Sequence, residues 1–154
     1  MEAAIKKYAI VNTPGHGNIY AYEINGFGSF NLMDDANVPS LLSLPYLDAV
    51  AESDKLYMNT RNYVLSPDNP FFFKGTAGEG IGGPHAGMDM IWPLSIIMRG
   101  LTSNNSAEVK KCLQLLKHSI AGTGFWTDYL NKNDAATFTR NGFAVAKTLF
   151  GLLV

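Results

Sequence analysis

The sequence has little cysteine: Cys112 is the only one among its 154 residues. An internal disulfide is therefore excluded, and the chain is compatible with a reducing compartment. No basic and apolar stretch resembling a secretion signal opens the sequence. We therefore expect a cytoplasmic protein whose fold has no disulfide crosslink.

Charge of one sign and long hydrophobic runs are also scarce. The 12 basic and 13 acidic residues give a net charge of -1 and form no long run of either sign, so nothing matches a nucleic acid or an anionic membrane. The longest apolar runs, residues 91–98 and 143–154, are interrupted by Pro93 and Lys147 and are too short for a membrane span. We expect neither nucleic acid nor membrane as a partner.

The sequence does have enough apolar residues for a core. At this length, 47% hydrophobic and 16% charged residues are the balance of an ordinary globular domain. No internal repeat or low-complexity linker divides the chain. We expect a single domain over residues 1–154.

The most informative segment is residues 33–40, where the adjacent carboxylates of Asp34 and Asp35 are followed by the carboxamide of Asn37. Five aromatic rings lie between residues 20 and 47. Carboxylates and amides hydrogen-bond to hydroxyls, and aromatic rings cover the apolar face of a sugar, so the segment predicts a carbohydrate site. The open alternative is that these polar side chains cap free backbone N–H groups ahead of Pro39.

Hydrophobic periodicity predicts five helices and little strand. The predicted helices are residues 38–50, 54–65, 90–101, 106–122 and 140–153. A short hairpin is predicted from residues 19–24, through the turn at Asn25 and Gly26, to residues 29–31. Proline and glycine make residues 66–87 an extended loop, which we expect to line a site because loops of this length are usually functional.

Three further residues are candidates for contacts with hydroxyl groups. His85 lies in the glycine-rich loop, but no second His or Cys stands at ligand spacing, so no metal site is predicted. Arg61 and Arg140 each follow a threonine, and ion pairing with Glu23, Asp34 or Asp35 is the open alternative to a hydroxyl clamp. Residues 78–83 lack the Lys-Ser/Thr continuation of a phosphate-binding loop, so we expect no cofactor.

Several motifs occur in order along nearly the whole chain. The longest, at residues 32–47, reads Leu-Met-Asp-Asp-Ala-Asn-Val-Pro-Ser-Leu-Leu-Ser-Leu-Pro-Tyr-Leu. Others are Tyr-Ala-Tyr-Glu at 20–23, Gly-Phe-Gly at 26–28, Ile-Trp-Pro at 91–93, Phe-Thr-Arg at 138–140 and Leu-Phe-Gly at 149–151. Together they closely resemble glycoside hydrolase family 125, the exo-α-1,6-mannosidases. The resemblance covers only the C-terminal half of family members.

This resemblance implies an all-α fold, namely half of an (α/α)6 barrel with five to six helices and a small β-hairpin. It also implies inverting hydrolysis of terminal α-1,6-linked mannose. Inversion needs a carboxylic acid that protonates the leaving oxygen and a carboxylate that activates water, about 6.5–9.5 Å apart. The family's general acid lies upstream of the matched region, so we expect this chain to lack it.

The family's general base is a glutamate in a His-Glu-Ser-Phe motif that follows a Gly-Thr-Gly turn. Here Gly-Thr-Gly stands at residues 122–124, and Asp128 occupies the glutamate position between Thr127 and Tyr129. Aspartate is one methylene shorter, and a misplacement of about 1 Å can cost about a hundredfold in rate. The alternative is that Asp128 is a helix cap or a solvated loop acid.

Other departures from the family fall on polar or aromatic positions, while the apolar framework persists. Such a pattern is typical of a chain that has kept its fold and relaxed its site. The departing residues are Asn25, Gly83, Ala86, Gly142, Val145, Lys147 and Leu152.

We therefore expect a carbohydrate-active module that resembles an inverting exo-α-1,6-mannosidase and is inactive alone. Its ligand would be a mannoside or another sugar. The alternative is a non-catalytic structural or self-associating helical scaffold, natural or engineered. Half a barrel would expose apolar faces, so we also expect a homodimer. The expected site comprises Asp128 as the altered base and, for substrate binding, Asp34, Asp35, Asn37, His85 and Arg140.

Overall fold

The structure, a computed structural model, describes residues 2–119, 127–139 and 144–153. Within these ranges the chain forms five helices and eight short strands. The helices are α1 (Glu2–Tyr8), α2 (Lys55–Val64), α3 (Pro93–Leu101), α4 (Ser106–His118) and α5 (Ala144–Leu153). The strands are β1 (Ile10–Thr13), β2 (Gly17–Tyr20), β3 (Glu23–Ile24), β4 (Phe30–Asn31), β5 (Phe72–Lys74), β6 (Glu79–Ile81), β7 (Met90–Ile91) and β8 (Leu130–Asn131).

The strands pair into four two-stranded antiparallel sheets. Three are local hairpins, and the fourth joins β7, just before α3, to β8, which follows α4 in the chain. The expected all-α class is therefore wrong, and the fold is mixed α/β. The expected half-barrel rested on the all-α class and is wrong with it.

The glycine-rich loop explains part of this error. Residues 66–87 contain the hairpin β5–β6, which begins in a run of three phenylalanines that favour strand, and Phe73 buries its ring. Directly after β6, a Cβ at Gly82 would run into the carbonyl oxygen of Met90 and the ring of Phe73. Gly82 thus lets two backbone segments approach closely. The sequence analysis had interpreted the glycines of this region as signs of a long loop.

The helix predicted over residues 38–50 is also absent, and this segment forms turns and bends. Ser40 and Ser43 exchange hydrogen bonds between their hydroxyls and each other's backbone N–H groups, at 2.8 and 3.2 Å. Such local bonds compete with helical ones, Pro45 offers no N–H, and Asp48 has a φ of 54°. Of the apolar residues on which the helix prediction rested, Leu41 and Leu42 are buried, whereas Tyr46 and Leu47 are exposed.

The remaining helix predictions are confirmed in outline over the described residues, whereas residues 120–122 and 140–143 of the predicted ranges lie outside them. Asp54 caps α2 by accepting from the Tyr57 N–H at 2.9 Å, and Asn105 caps α4. Helix α3 begins at Pro93, because the preceding residues Met90 and Ile91 form β7 instead of a first helical turn.

Two hydrophobic clusters meet along α3. Met98 belongs to the first, with α2 and the segment around Leu42, whereas Ile96 and Ile97 belong to the second, with α4 and β8. The only cysteine, Cys112, is buried in the second cluster, and burial raises the pKa of its thiol to about 11.

A network of buried charges links α2, α3, α4 and β6. Glu108 accepts from Arg61 at 3.0 Å and from Arg99 at 2.7 Å, and Arg99 also pairs with Glu79 at 2.9 Å. Lys111 completes the network at Glu79. Arg61 is thus an ion-pairing residue, but its acidic partner is Glu108 instead of the expected Glu23, Asp34 or Asp35.

We expect acid to destabilise the protein through this network. Burial acts to raise the pKa of Glu79, but hydrogen bonds from Lys111 and Arg99 outweigh it and lower the pKa from 4.5 to about 2. The pKa of Glu108 is likewise about 2. Because both folded pKa values are depressed, their contribution to stability is complete above pH 4.5 and is lost as the pH falls through about 2.

Urea denaturation between pH 2 and 6 measures this loss, and Glu79→Gln should flatten the pH dependence below pH 4.5. A free energy of unfolding that stays constant over that range in the parent would contradict the prediction.

Some large apolar side chains remain exposed, among them Phe27, Met88 and Leu152. In the ranges described by the structure, no helix combines the length and the apolar character needed to cross a membrane. The homodimer stays a prediction.

Candidate functional site

Asp34 lies at the centre of the fold, with no exposed surface. Its two carboxylate oxygens accept from the backbone N–H groups of Leu41, at 3.3 Å, and Leu42, at 3.0 Å. Burial raises the pKa of Asp34 to about 7, the nearby Asp35 charge adds to the rise, and the N–H donors oppose it. Asp34 therefore bonds to backbone N–H groups, as in the capping alternative, but these groups follow Pro39 instead of preceding it, and no helix begins there. Little of its carboxylate is left for a ligand.

Asn69 holds the Asp34 segment in place from the other side. Its side chain donates to the carbonyl oxygens of Asp34, at 3.0 Å, and Val64, at 2.9 Å, and accepts from the N–H groups of Asp34 and Phe71. This buried carboxamide thereby ties the acidic segment to the end of α2 and to the loop before β5. The position of Asp35 depends on it.

Asp35 differs from its neighbour in what surrounds it. It is 7% exposed, and one carboxylate oxygen accepts from the Asn37 N–H at 3.0 Å. Two phenols approach the carboxylate: burial and then the charge of Asp35 raise the pKa of Tyr22, and burial followed by Asp128 and Asp35 raises the pKa of Tyr129. Asp35 and Asp128, far apart in sequence, are thus brought to the same tyrosine.

Aromatic stacking completes the group of side chains around Asp35, which we call the Asp35 wall and which consists of Asp35, Tyr22, Tyr129 and Trp92. Trp92, which precedes α3, stacks on Tyr129 with ring centroids 5.6 Å apart and ring planes 17° from parallel. Gly83, at the end of the glycine-rich loop, faces Asp35 so closely that an added Cβ would lie 3.4 Å from the Asp35 Cβ and 3.7 Å from the Tyr129 hydroxyl. The loop therefore packs against Asp35 at a residue without a side chain, and a Cβ there would be in direct contact with Asp35.

Asp128 lies in the segment before β8 and is half-buried, so it is neither the cap of a described helix nor a fully solvated acid. Thr127, directly before it, is completely buried, and its hydroxyl oxygen has no hydrogen-bond partner among the residues that the structure describes. The backbone around Asp128 is therefore fixed on one side by a buried neighbour and on the other by the β7–β8 pairing.

The other predicted site residues do not join this group as closely. The side chains of Asn37 and His85 are exposed, although Asn37 follows Asp35 by two residues and His85 follows Gly83 by two. Arg140 lies outside the described residues. Among the described residues, no group of three or more His, Cys, Asp or Glu side chains is arranged to hold a metal ion.

The sequence analysis missed Tyr22, Tyr129 and Asn69. Tyr22 stands in a strand pattern and Asn69 beside a proline, so neither signals a site on its own. Tyr129 was noted only as a substituted neighbour of Asp128. The pairing of β7 with β8 carries the segment before β8 back to α3, where Tyr129 stacks on Trp92.

A carboxylate beside two phenols and a stacked indole offers hydrogen-bonding groups and an apolar ring surface that suit a hydroxylated ligand. The model of the metal-independent α-mannosidase family, glycoside hydrolase family 125, matches residues 1–154. The chain belongs to this family.

Two relatives show how much of the family the chain spans. It is 45% identical over 155 residues to the meiotically up-regulated gene 157 protein of Schizosaccharomyces pombe, covering 100% of this chain and 30% of that protein. A Streptococcus pneumoniae structure from the metal-independent α-mannosidases, a non-productive complex with α-1,6-mannobiose, superimposes with a TM-score of 0.95 and 36% identity. That match covers 99% of this chain and 36% of the other. The chain thus spans about a third of the length of these relatives.

Proposed function

We propose that this chain supplies the mannoside-binding wall of an α-mannosidase and that Asp35 is its central polar contact. The observation that carries the proposal is the convergence of Tyr22 and Tyr129 on the Asp35 carboxylate, beside the stacked Trp92. The solved relative holds α-1,6-mannobiose, which makes an α-1,6-linked mannoside the ligand to test first.

Each group in the wall has a distinct task. The Asp35 carboxylate accepts hydrogen bonds from sugar hydroxyls, and a charged acceptor makes these bonds stronger than neutral ones. The phenols of Tyr22 and Tyr129 can donate or accept, and their raised pKa values keep them protonated. Asp34 contributes indirectly, because it fixes the backbone from which Asp35 projects.

Hydrolysis needs, besides sugar binding, one group that activates water and one that protonates the leaving oxygen. In the inverting mechanism implied by the family resemblance, Asp128 activates the water that attacks the anomeric carbon, and another carboxylic acid protonates the leaving oxygen. Asp34 is unsuited to the acid's task because its oxygens are engaged by backbone N–H groups and it has no exposed surface. We propose that the 154-residue chain binds mannosides and hydrolyses them at a negligible rate.

Calorimetric titration with α-1,6-mannobiose tests the binding site. Asp35→Asn should weaken binding about tenfold to a hundredfold, since a hydrogen bond to a charged group contributes on the order of 1.5–3 kcal/mol. Asp48→Asn is the matched control, because it also removes one negative charge, from an exposed position. Equal affinity of parent and Asp35→Asn would refute the role of Asp35, and no heat at millimolar mannobiose in the parent would favour the scaffold function.

A further inference from the structure

The hairpin β3–β4 stands beside Asp35 and has no task in the proposed mannoside wall. Tyr22 immediately precedes β3, and its N–H donates to the Asn31 carbonyl at 3.0 Å, which continues the pairing beyond the two-residue strands. The same residue therefore places its phenol near Asp35 and its backbone at the base of the hairpin. The hairpin is fixed to the edge of the site.

One side of the hairpin carries the groups that bind hydroxylated ligands. Glu23 and Asn31 are cross-strand partners, and the Asn31 carboxamide donates to the Glu23 carboxylate at 3.3 Å. Ile24 and Phe30 form the neighbouring pair, which points to the opposite face. A shallow surface depression of about 380 Å³ takes in residues of both pairs and of the turn: Glu23, Ile24, Asn25, Ser29, Phe30 and Asn31.

The tip of the hairpin presents an aromatic ring on a rigid support. The Asn25 side chain accepts from the N–H groups of Phe27, at 2.9 Å, and Ser29, at 3.1 Å. Gly26 and Gly28 have φ values of 76° and 97°, which favour glycine and fix the path of the turn. Phe27 is 94% exposed, so a large apolar ring is held in water by an ordered turn.

We propose that this hairpin is a second sugar subsite, which takes the units of an α-linked oligomannoside that extend beyond the residue bound at Asp35. The proposal rests on the mannoside-binding function. Glu23 and Asn31 would bond to hydroxyls of the next unit, and Phe27 would stack on the apolar face of a more distant one. Five residues of extended chain from Tyr22 to Phe27 reach about 16 Å at most, farther than one sugar ring.

A rigid platform also has an energetic advantage. The turn is ordered by its own hydrogen bonds, so binding does not have to immobilise it, and less of the stacking energy is lost to ordering. Affinity should therefore rise with the length of the oligosaccharide.

Titration of the full chain with methyl α-mannoside and with α-1,6-linked mannotriose tests the subsite. The parent should bind the trisaccharide more tightly. Phe27→Ala should weaken trisaccharide binding about 5- to 30-fold and change the monosaccharide affinity by less than about twofold, since only the longer ligand reaches the ring. Tyr46→Ala is the control for loss of a partly exposed aromatic side chain elsewhere. Thermal unfolding checks that both variants fold.

The outcomes separate this proposal from the one on which it rests. If the parent binds both ligands and Phe27→Ala binds the trisaccharide as tightly as the parent, the hairpin subsite is refuted while the mannoside wall stands. If the parent binds both ligands with equal affinity, the subsite is refuted as well. A parent that binds neither ligand overturns both proposals.

Discussion

Replacing Asp34 with alanine should lower the free energy of unfolding by about 2–4 kcal/mol, because each buried donor left without a partner costs on the order of 1–2 kcal/mol. The two donors are the N–H groups of Leu41 and Leu42, which the Asp34 carboxylate accepts at 3.3 and 3.0 Å inside the first hydrophobic cluster.

Two variants show whether the loss comes from capping. Asp34→Asn keeps one oxygen acceptor but directs an amide N–H toward the other donor, so its loss should be intermediate. Asp35→Ala removes the bond from the Asn37 N–H and the contact with the Tyr22 phenol, but no fully buried backbone donor loses its partner, so it should cost less than Asp34→Ala. Urea denaturation at pH 7 measures all three, and equal losses for Asp34→Ala and Asp35→Ala would contradict the assignment of separate roles.

The pH dependence gives an independent reading of Asp34. Its pKa is raised from 3.8 to about 7, so the folded state holds the proton more tightly than the unfolded chain. Stability from this group is therefore complete below pH 3.8 and declines as the pH rises through about 7, the opposite direction to the glutamates of the charge network. The Asp34→Asn variant should lose the decline between pH 4 and pH 7.

The acidic segment shows how far sequence could predict the site. Adjacent carboxylates beside a carboxamide suited both a sugar site and a set of caps, and the structure supports capping for Asp34 and a position facing aromatic side chains for Asp35. The difference is set by Asn69, which bonds to both backbone groups of Asp34 from a distant part of the chain, and by Ala36, whose φ is 53°. Neither can be read from the segment itself.

The fold, like the site, was predicted correctly only where local sequence determines the structure. Helices α2 and α4 have caps and regular apolar spacing within their own residues, and both were predicted closely. Strands β7 and β8 have two residues each and exist only because distant segments pair. Local pattern predicts elements stabilised by local bonds, and it failed for the short strands that bring Asp128 and Tyr129 to Asp35.

Lengthening the carboxylate at position 128 should increase hydrolysis of an activated mannoside about a hundredfold, if Asp128 occupies the base position as proposed. Asp128→Glu restores one methylene, and misplacement of a reacting group by about 1 Å can cost a factor of that size. The gain should appear in kcat more than in KM, because the carboxylate acts on water and not on the bound sugar.

The choice of substrate isolates the base from the acid. Hydrolysis of a 2,4-dinitrophenyl α-mannoside releases a stable dinitrophenolate, and this leaving group needs little protonation. The rate therefore reports mainly on the carboxylate that activates water. The control is Asp128→Asn, which keeps the size of the side chain, cannot act as a base and should show no gain. If Asp128→Glu binds α-1,6-mannobiose like the parent but hydrolyses the activated substrate no faster, Asp128 does not stand at the base position. The Asp35 wall would then be a sugar-binding surface whose water-activating group lies elsewhere.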